Sequence, residues 1–392
     1  MNLLQGKTIL LAVTGSIAAV ETIKLAHALR RRGAEVQAVM SGAATQIIHP
    51  DALTYACNHE VIIRISGMVE HVKYCGDERV ADLLLIAPCT ANSISKIACG
   101  IDDTPVTTCA TTALGSKMPI IIVPAMHHAM FRHTAVMKNL ETLKLWGIQV
   151  VGPKIEEGKA KIAPVDEIVL SCERELCGKP LAGRHIVITS GRCEEPVDDV
   201  RVLTTRSSGL MGQELAKAAY RLGADVTIIH RDNLPGFKNI QITTADSMLQ
   251  TVMQELDSHH TDIFISAAAV SDYAPIKYQG KIPSGQNPVL NLHPLPKILD
   301  KAITKADLTV AFKLGEESVH EAPALLSRGI TLVAANKPEN MGSKEGKYDL
   351  VDSSGTMSVS GSKEDVAHEI FNLIISRHPS NLSPAISDPH EL

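Results

Sequence analysis

The residues best equipped for chemistry fall in a few short stretches, each where an apolar run gives way to small or polar side chains. PAMHHAMF, residues 124–131, sets His127 and His128 side by side, flanked by Met126 and Met130. Adjacent side chains on a strand or helix face different ways, so an i,i+1 pair is poorly placed to share a metal ion. Core filler and membership of an active site are the remaining readings. His71 lies in EHVKYCGDERVADLLLIAP, a polar segment before a buried run. A titratable imidazole fits that position, and a solvated surface residue is the alternative. The eight cysteines include no Cys-x-x-Cys, and no Cys/His cluster has zinc-finger spacing.

A second group of stretches is suited to anions. VTGSIAAVETIKLA reads as strand, tight turn at Gly15 and helix start, with Ser16 adding a hydroxyl. Backbone N–H groups at a helix start have no internal partner, and the macrodipole favours negative charge there. The pattern is not GxGxxG, so it suggests a phosphate-bearing ligand rather than a dinucleotide. APCTANSISKIACG (87–100) repeats the arrangement, bending at Pro88 and opening a helix with Thr90, Asn92 and Ser93, while VMSGAAT ends a strand at Ser41. Far downstream, Ser207, Ser208 and Gly209 open another helix, Ala267 and Ala268 leave room beside a strand end, and Lys281 sits on the Gly-flanked loop GKIPSG. There is no Walker A motif.

These stretches need a scaffold, and the chain alternates short β-branched runs with longer helical patterns. Strands are expected at 9–13, 36–40, 61–65, 83–87, 120–123 and 148–151, with a helix over 18–32. The rhythm restarts after Leu181. LAGRHIVITSG follows LQGKTILLAVTG, and ELAKAAYRLGADVTII follows KLAHALRRRGAEVQAV. Further strands are expected at 240–243, 263–267, 308–312, 331–334, 350–351 and 357–359, with a last helix over 363–377. Such alternation predicts α/β architecture: two Rossmann-like parallel-sheet domains, with ligands at the carboxyl edges of the strands. The expected boundaries are 1–172 and 181–378, with a Gly/Pro-bearing seam between them and a polar, disordered tail over 379–392.

Composition narrows the function. At 392 residues the chain exceeds one ordinary core. A net charge of −5 and 3% aromatic residues argue against a nucleic-acid partner. No apolar run is long enough for a membrane helix. The N-terminus runs straight into a strand without a basic n-region, so it is expected to be structural. The cysteine pattern is that of reduced thiols, which predicts a cytoplasmic protein.

VTGSIAA, PCTANSISKIACG and PAMHHAMF, in this order and spacing, resemble the flavin-containing cysteine decarboxylases, over about residues 6–170. Their nearest likeness is the phosphopantothenoylcysteine decarboxylase half of the bifunctional coenzyme A biosynthesis family. The resemblance implies a flavodoxin-like domain with FMN at Gly15, Ser16, Ile17, Ser41, Thr90, Ala91, Asn92, Ser93 and Ala125, and His71 as catalytic base. The family motif PxMNxxMW has His127 in place of its substrate-binding Asn, which implies that an imidazole donates the hydrogen bond to the substrate carboxylate. The family's clamp carries a cysteine, whereas EEGKAKIAP (156–164) has none. Lys159 or Lys161 is a candidate to meet the carboxylate or phosphate there, and another cysteine or a water is the alternative as the source of the proton.

The second half resembles the family's phosphopantothenate–cysteine ligase. VITSGRCEEPVDDVRVLTTRSSGLMGQELA, DIFISAAAVSDYAP, GKIPSG, PLPKIL, VAFKLGEES and VAANKPE follow the ligase motifs in order. The likeness implies a nucleotide site at Ser266, Ala267, Ala268, Asp272, Lys281, Pro296, Lys297, Ile298, Leu299 and Phe312, with Lys281 catalytic. It implies substrate contacts at Arg201, Thr205, Arg206 and Asn336. A family Asn is Thr205 here, a Lys is Leu210, and two lysines that bacterial ligases carry further on are missing, with Arg328 nearby. The implied activity is ligation of phosphopantothenate with cysteine, using CTP (ATP being the runner-up) and Mg²⁺, followed by FMN-dependent decarboxylation. The implied assembly is a homo-oligomer, a dodecamer. A ligase fused to a non-decarboxylating flavin domain and a non-enzymatic flavin-fold regulator are the alternatives.

Overall fold

The computed structural model describes residues 2–156, 158–285 and 287–382. The chain divides into two compact units, Met1–Gly178 and Lys179–Leu392. Residues 383–392 of the expected tail lie outside the described residues, and Pro379–Leu382, expected to be disordered, form one short helix.

The first unit contains β1 (Thr8–Val13), β2 (Glu35–Met40), β3 (Leu83–Cys89), β4 (Ile120–Pro124), β5 (Met126–His127), β6 (Gln149–Val150), β7 (Lys154–Glu156) and β8 (Lys159–Lys161). Five of these form a parallel sheet in the order β2-β1-β3-β4-β6. The central strands are apolar at nearly every position because helices cover both faces. Ile9, Leu11 and Val13 of β1 enter one apolar layer, and Leu10 and Ala12 enter the other. Strand direction reverses its march between β1 and β3, and an open sheet leaves a crevice at such a switch point.

Two expectations change here. Residues 61–65 form no strand; they touch the edge strand β2 only at the bridge Val39↔Ile62. Beyond Ile62 the chain turns away, and the Glu70 carboxylate takes the Ser66 backbone N–H at 2.8 Å. The clamp region, in turn, is a built hairpin. β7 and β8 pair antiparallel, and β8 pairs with β5 so that His127 faces Lys159 and Met126 faces Ala160.

The second unit contains β9 (His185–Thr189), β10 (Glu194–Pro196), β11 (Val202–Thr204), β12 (Asp225–His230), β13 (Lys238–Gln241), β14 (Ile263–Ser266), β15 (Tyr273–Pro275), β16 (Leu292–Pro294), β17 (Leu308–Leu314), β18 (Leu332–Asn336), β19 (Glu345–Asp352) and β20 (Gly355–Ser362). Eight strands make one sheet, β13-β12-β9-β14-β17-β18-β19-β20. It is parallel through β18, as expected of a parallel-sheet domain, and its last two strands run antiparallel. The reason is loop length. Eight residues separate β18 from β19 and two separate β19 from β20, whereas a parallel crossover needs about a dozen or more. Ile186 and Ile188 of β9 face one apolar layer and Val187 the other. The helix Lys363–Arg377 closes the first of these layers with Val366, Ile370, Phe371 and Ile374.

Candidate active sites

In the first unit the two phosphate-suited turns are tied together at the β1/β3 switch point. The Thr14 hydroxyl donates to the Pro88 carbonyl at 2.7 Å, and the Thr90 backbone N–H donates to that same hydroxyl oxygen at 3.1 Å. Thr14, buried and unremarked in the sequence reading, therefore sets the spacing of both loops. Ser16, Ser41 and Thr90 each cap a helix, accepting the N–H of Ala18, Ala44 and Ser93. Their oxygens accept inward, and the Thr90 hydroxyl also shares a hydrogen bond with that of Ser93 at 3.1 Å. Gly15 is needed for space, not for an unusual φ. A Cβ there would stand 2.5 Å from Ala43 Cβ.

A cavity of about 660 Å³ opens at this edge, within the roughly 300–1,000 Å³ range of small-molecule sites. Ser16, Ile17, Ala125 and His127 line it together with Lys154, Glu156, Lys159 and Lys161 of the hairpin. The edge is thus open, with an apolar wall and a cationic rim. Ser41, Thr90, Ala91, Asn92 and Ser93 stand beside the switch point without lining the cavity, and Asn92 is exposed. His71 rides on the helix Glu70–Cys75, away from the lining, with Nδ1 buried and unpartnered.

The histidine pair resolves into two different roles. His127 ends β5 and caps the helix His128–Phe131, its Nδ1 accepting the Ala129 backbone N–H at 3.3 Å. In the neutral ring the proton then sits on Nε2, the atom free to donate. His128 keeps a buried, unpartnered Nδ1. Among the described residues the one group of three side chains placed to hold a metal is His260, Asp262 and Asp307, elsewhere in the chain. His49 and His133 cap helices as His127 does, a use of histidine that sequence spacing did not suggest.

On the hairpin, hydrogen bonds from Lys161 and then Lys154 hold the Glu156 carboxyl below the usual carboxylate range. Lys161 donates to it at 3.0 Å and Lys154 at 3.4 Å. No cysteine lines the cavity. Burial pushes the Cys57 thiol up to about 11 and the Cys89 and Cys172 thiols higher still, so these are inert core groups.

In the second unit β9 meets the helix Leu210–Arg221 at very close range. A Cβ on Gly212 would fall 2.3 Å from Ser190 Oγ, and Gly209, at φ +74°, packs on Gly191. A pocket of about 120 Å³ beside this junction brings together Ser207, Ser208, Gly209, Ala267, Ala268 and Phe312. Asn336 also lines it, as do Tyr348 and Lys363, which the sequence reading did not single out. Tyr348 stacks edge-on against Phe312 at 6.1 Å.

The other expected ligase residues lie outside that lining. Thr205 donates to the Ala269 carbonyl at 3.1 Å, and Arg206 is exposed. Ser266 ends β14 half-buried, Asp272 is exposed, and Pro296 and Lys297 are exposed. Ile298 is buried in the apolar layer with Val187 and Phe264, and Leu299 packs against it, so they can offer a ligand only backbone. Arg328 pairs with Asp300 and is not the pocket's cation.

Lys281 is exposed on a loop that is nevertheless anchored. Asp198 accepts the Ile282 backbone N–H at 3.0 Å and pairs with the Arg201 guanidinium. Burial pushes the Asp198 carboxyl up, but the N–H groups of Ile282, Val200 and Arg201, with the guanidinium, outweigh it and hold it well below the usual range. Asp198 was missed because a lone carboxylate in a charged loop reads as solvated.

The fold and these pockets define a class: a chain of two α/β units, each with an anion-suited pocket at the carboxyl edge of its sheet. Two family models match, Flavoprotein over residues 2–176 and DNA/pantothenate metabolism flavoprotein C-terminal domain over 181–377. The chain is 45% identical over 361 residues to the coenzyme A biosynthesis bifunctional protein CoaBC of Thermococcus kodakarensis, covering 89% of each. It is 36% identical to that of Methanocaldococcus jannaschii over 389 residues, 95% of this chain and 94% of the relative. With the Vibrio vulnificus protein the figure is 36% over 293 residues, 70% of each. The chain belongs to the coenzyme A biosynthesis bifunctional protein CoaBC family.

Proposed function

We propose that this chain performs two successive steps of coenzyme A biosynthesis. The second unit joins 4′-phosphopantothenate to cysteine with CTP through an acyl-cytidylate. The first decarboxylates the product to 4′-phosphopantetheine with FMN. The observation that carries the reading is full-length membership of a family named for two activities, in a chain with a pocket at each sheet edge.

FMN bound at the first site supplies a reversible hydride acceptor. The fit rests on the open 660 Å³ cavity, the capped turns at Ser16 and Thr90, and the apolar wall at Ile17 and Ala125. His127 donates its Nε2–H to the substrate carboxylate and orients it. The family resemblance assigns the base to His71, which stands outside the lining of this cavity. With no thiol lining the cavity, the proton for the decarboxylated carbon is assigned to Lys159, which lies opposite His127, while Lys161 is engaged by Glu156. In the second unit Lys281 stabilises charge at the attacked phosphate from its anchored loop. The nucleotide enters with Mg²⁺ as its counter-ion, since no carboxylate lines the described pocket. The eight free cysteines support a cytoplasmic setting, and we place the enzyme there as a homo-oligomer. No described helix is long and apolar enough to cross a membrane.

Purified protein incubated with phosphopantothenate, cysteine, CTP and Mg²⁺, with products followed by mass, tests the reading. Pyrophosphate and phosphopantetheine are expected. The missing thiol favours one second reading, a ligase with an idle flavin unit, and phosphopantothenoylcysteine accumulating without CO₂ would establish it. Lys281→Gln should stall ligation and spare decarboxylation of supplied phosphopantothenoylcysteine; loss of both activities would refute this division of labour.

A further inference from the structure

Among the described residues, the lining of the ligase pocket has one formally charged member, Lys363, and no carboxylate. The remaining lining consists of small, hydroxyl, amide and apolar side chains. Lys363 is only 6% exposed. Among the described residues its ammonium has neither a hydrogen-bond acceptor nor a carboxylate within salt-bridge distance, although acidic residues follow it directly. Those neighbours are engaged elsewhere. Glu364 pairs with Arg221 at 2.8 Å, and Asp365 accepts from the Ser362 backbone N–H and hydroxyl.

The stem is buried, but the ammonium is not among the fully buried unpartnered atoms, so it reaches the open space of the pocket. Its position follows from the fold. Ser362 caps the helix Lys363–Arg377 with a full capping box, and the Lys363 backbone N–H is taken by the Lys344 carbonyl at 3.0 Å. The side chain therefore starts from a fixed backbone at the wall of the pocket. That pocket also holds the start of the helix Leu210–Arg221, with Ser207, Ser208 and Gly209 before it. A helix start, two hydroxyls and an unneutralised ammonium make a site short of negative charge.

We infer that Lys363 binds a phosphate group of the ligase substrates in this pocket, filling the role left by the lysines that this chain lacks elsewhere. The inference rests on the ligase reading above and names the residue that gives its pocket charge. Burial alone pulls the Lys363 ammonium below the ordinary lysine range, with no carboxylate acting against it, and an arriving phosphate would favour its charged form. The phosphate belongs either to the nucleotide or to phosphopantothenate, and the two sources can be separated.

The full-length chain and its Lys363→Met and Lys363→Arg variants are compared by calorimetry with CTP, cytidine and phosphopantothenate, and by thermal melting without ligand. Lys363→Met keeps the apolar stem and removes the charge. It should weaken one phosphorylated ligand by about tenfold or more, leaving cytidine unchanged. Loss confined to CTP assigns the nucleotide phosphates, and loss confined to phosphopantothenate assigns that phosphate. Lys363→Arg should retain most of the affinity. Unchanged cytidine binding and a cooperative melt check that the second unit of each variant folds. Unchanged affinity for both anions, or equal losses for CTP and cytidine, overturns the inference. So does a lowered melting temperature with affinity intact, the mark of a structural lysine. If the parent protein itself binds neither anion and releases no pyrophosphate, the ligase reading falls and takes the inference with it.

Discussion

At the scale of single residues, His127 shows how one side chain can serve structure and chemistry at once. Its Nδ1 caps a helix and its Nε2 is left as donor. An Asn can do both jobs, because its carbonyl oxygen caps and its amide donates. His127→Asn should therefore stay within about tenfold of the parent decarboxylation rate. His127→Leu loses a hydrogen bond to a charged group, worth roughly 1.5–3 kcal/mol, and should fall by roughly 10- to 100-fold. The rate with supplied phosphopantothenoylcysteine decides; if Leu matched Asn, His127 would not orient the carboxylate.

At the scale of elements, the first pocket depends on how closely β1 and the short helix Gly42–Thr45 approach. Gly15→Ala would drive a methyl into Ala43 at 2.5 Å, so either the turn or the helix must move. We expect a loss of about 1–3 kcal/mol in stability and weaker retention of yellow flavin absorbance on dialysis. Ala43→Gly in the same chain should restore part of both. The hairpin β7–β8 acts through its register, which sets Lys159 opposite His127 and Glu156 opposite Lys159. Lys159→Met should then slow decarboxylation without weakening flavin retention. A matching loss of flavin would show that the lysine holds the cofactor and not the reacting carbon.

At the scale of the whole chain, each unit carries its own apolar layers and its own pocket, and acid should test them unequally. Asp198 has a depressed carboxyl pKa, so its stabilisation is fully present above the unfolded value of about 3.9 and is lost as pH falls through the lower folded value. It also anchors the Lys281 loop. Thermal melts from pH 7 down to pH 2 should show Asp198→Asn destabilised by a constant amount above about pH 4, with the gap narrowing only below that and most of it still present at pH 3. Trp146, the chain's one tryptophan, lies in the first unit and should report little of that change. A gap that did not narrow at all down to pH 2 would mean that the Asn substitution acts by packing, not by charge.

Periodicity sufficed for the central strands, because β1, β3, β9 and β14 are buried on both faces and leave an apolar run that nothing else explains. Local motifs likewise placed the turns at Ser16 and Thr90 and the small residues Ala267 and Ala268, since a strand end followed by a capped helix start is encoded in neighbouring residues. Pairings between distant segments were beyond that reading. β19 and β20 expose one face and look polar, the hairpin meets β5 across more than thirty residues, and Thr14 links two loops that are 74 residues apart. Asp198 and Lys363 are ordinary charged residues in the linear chain. Only the folded surroundings, which bury one among four donors and leave the other without an acceptor, distinguish them from solvated neighbours.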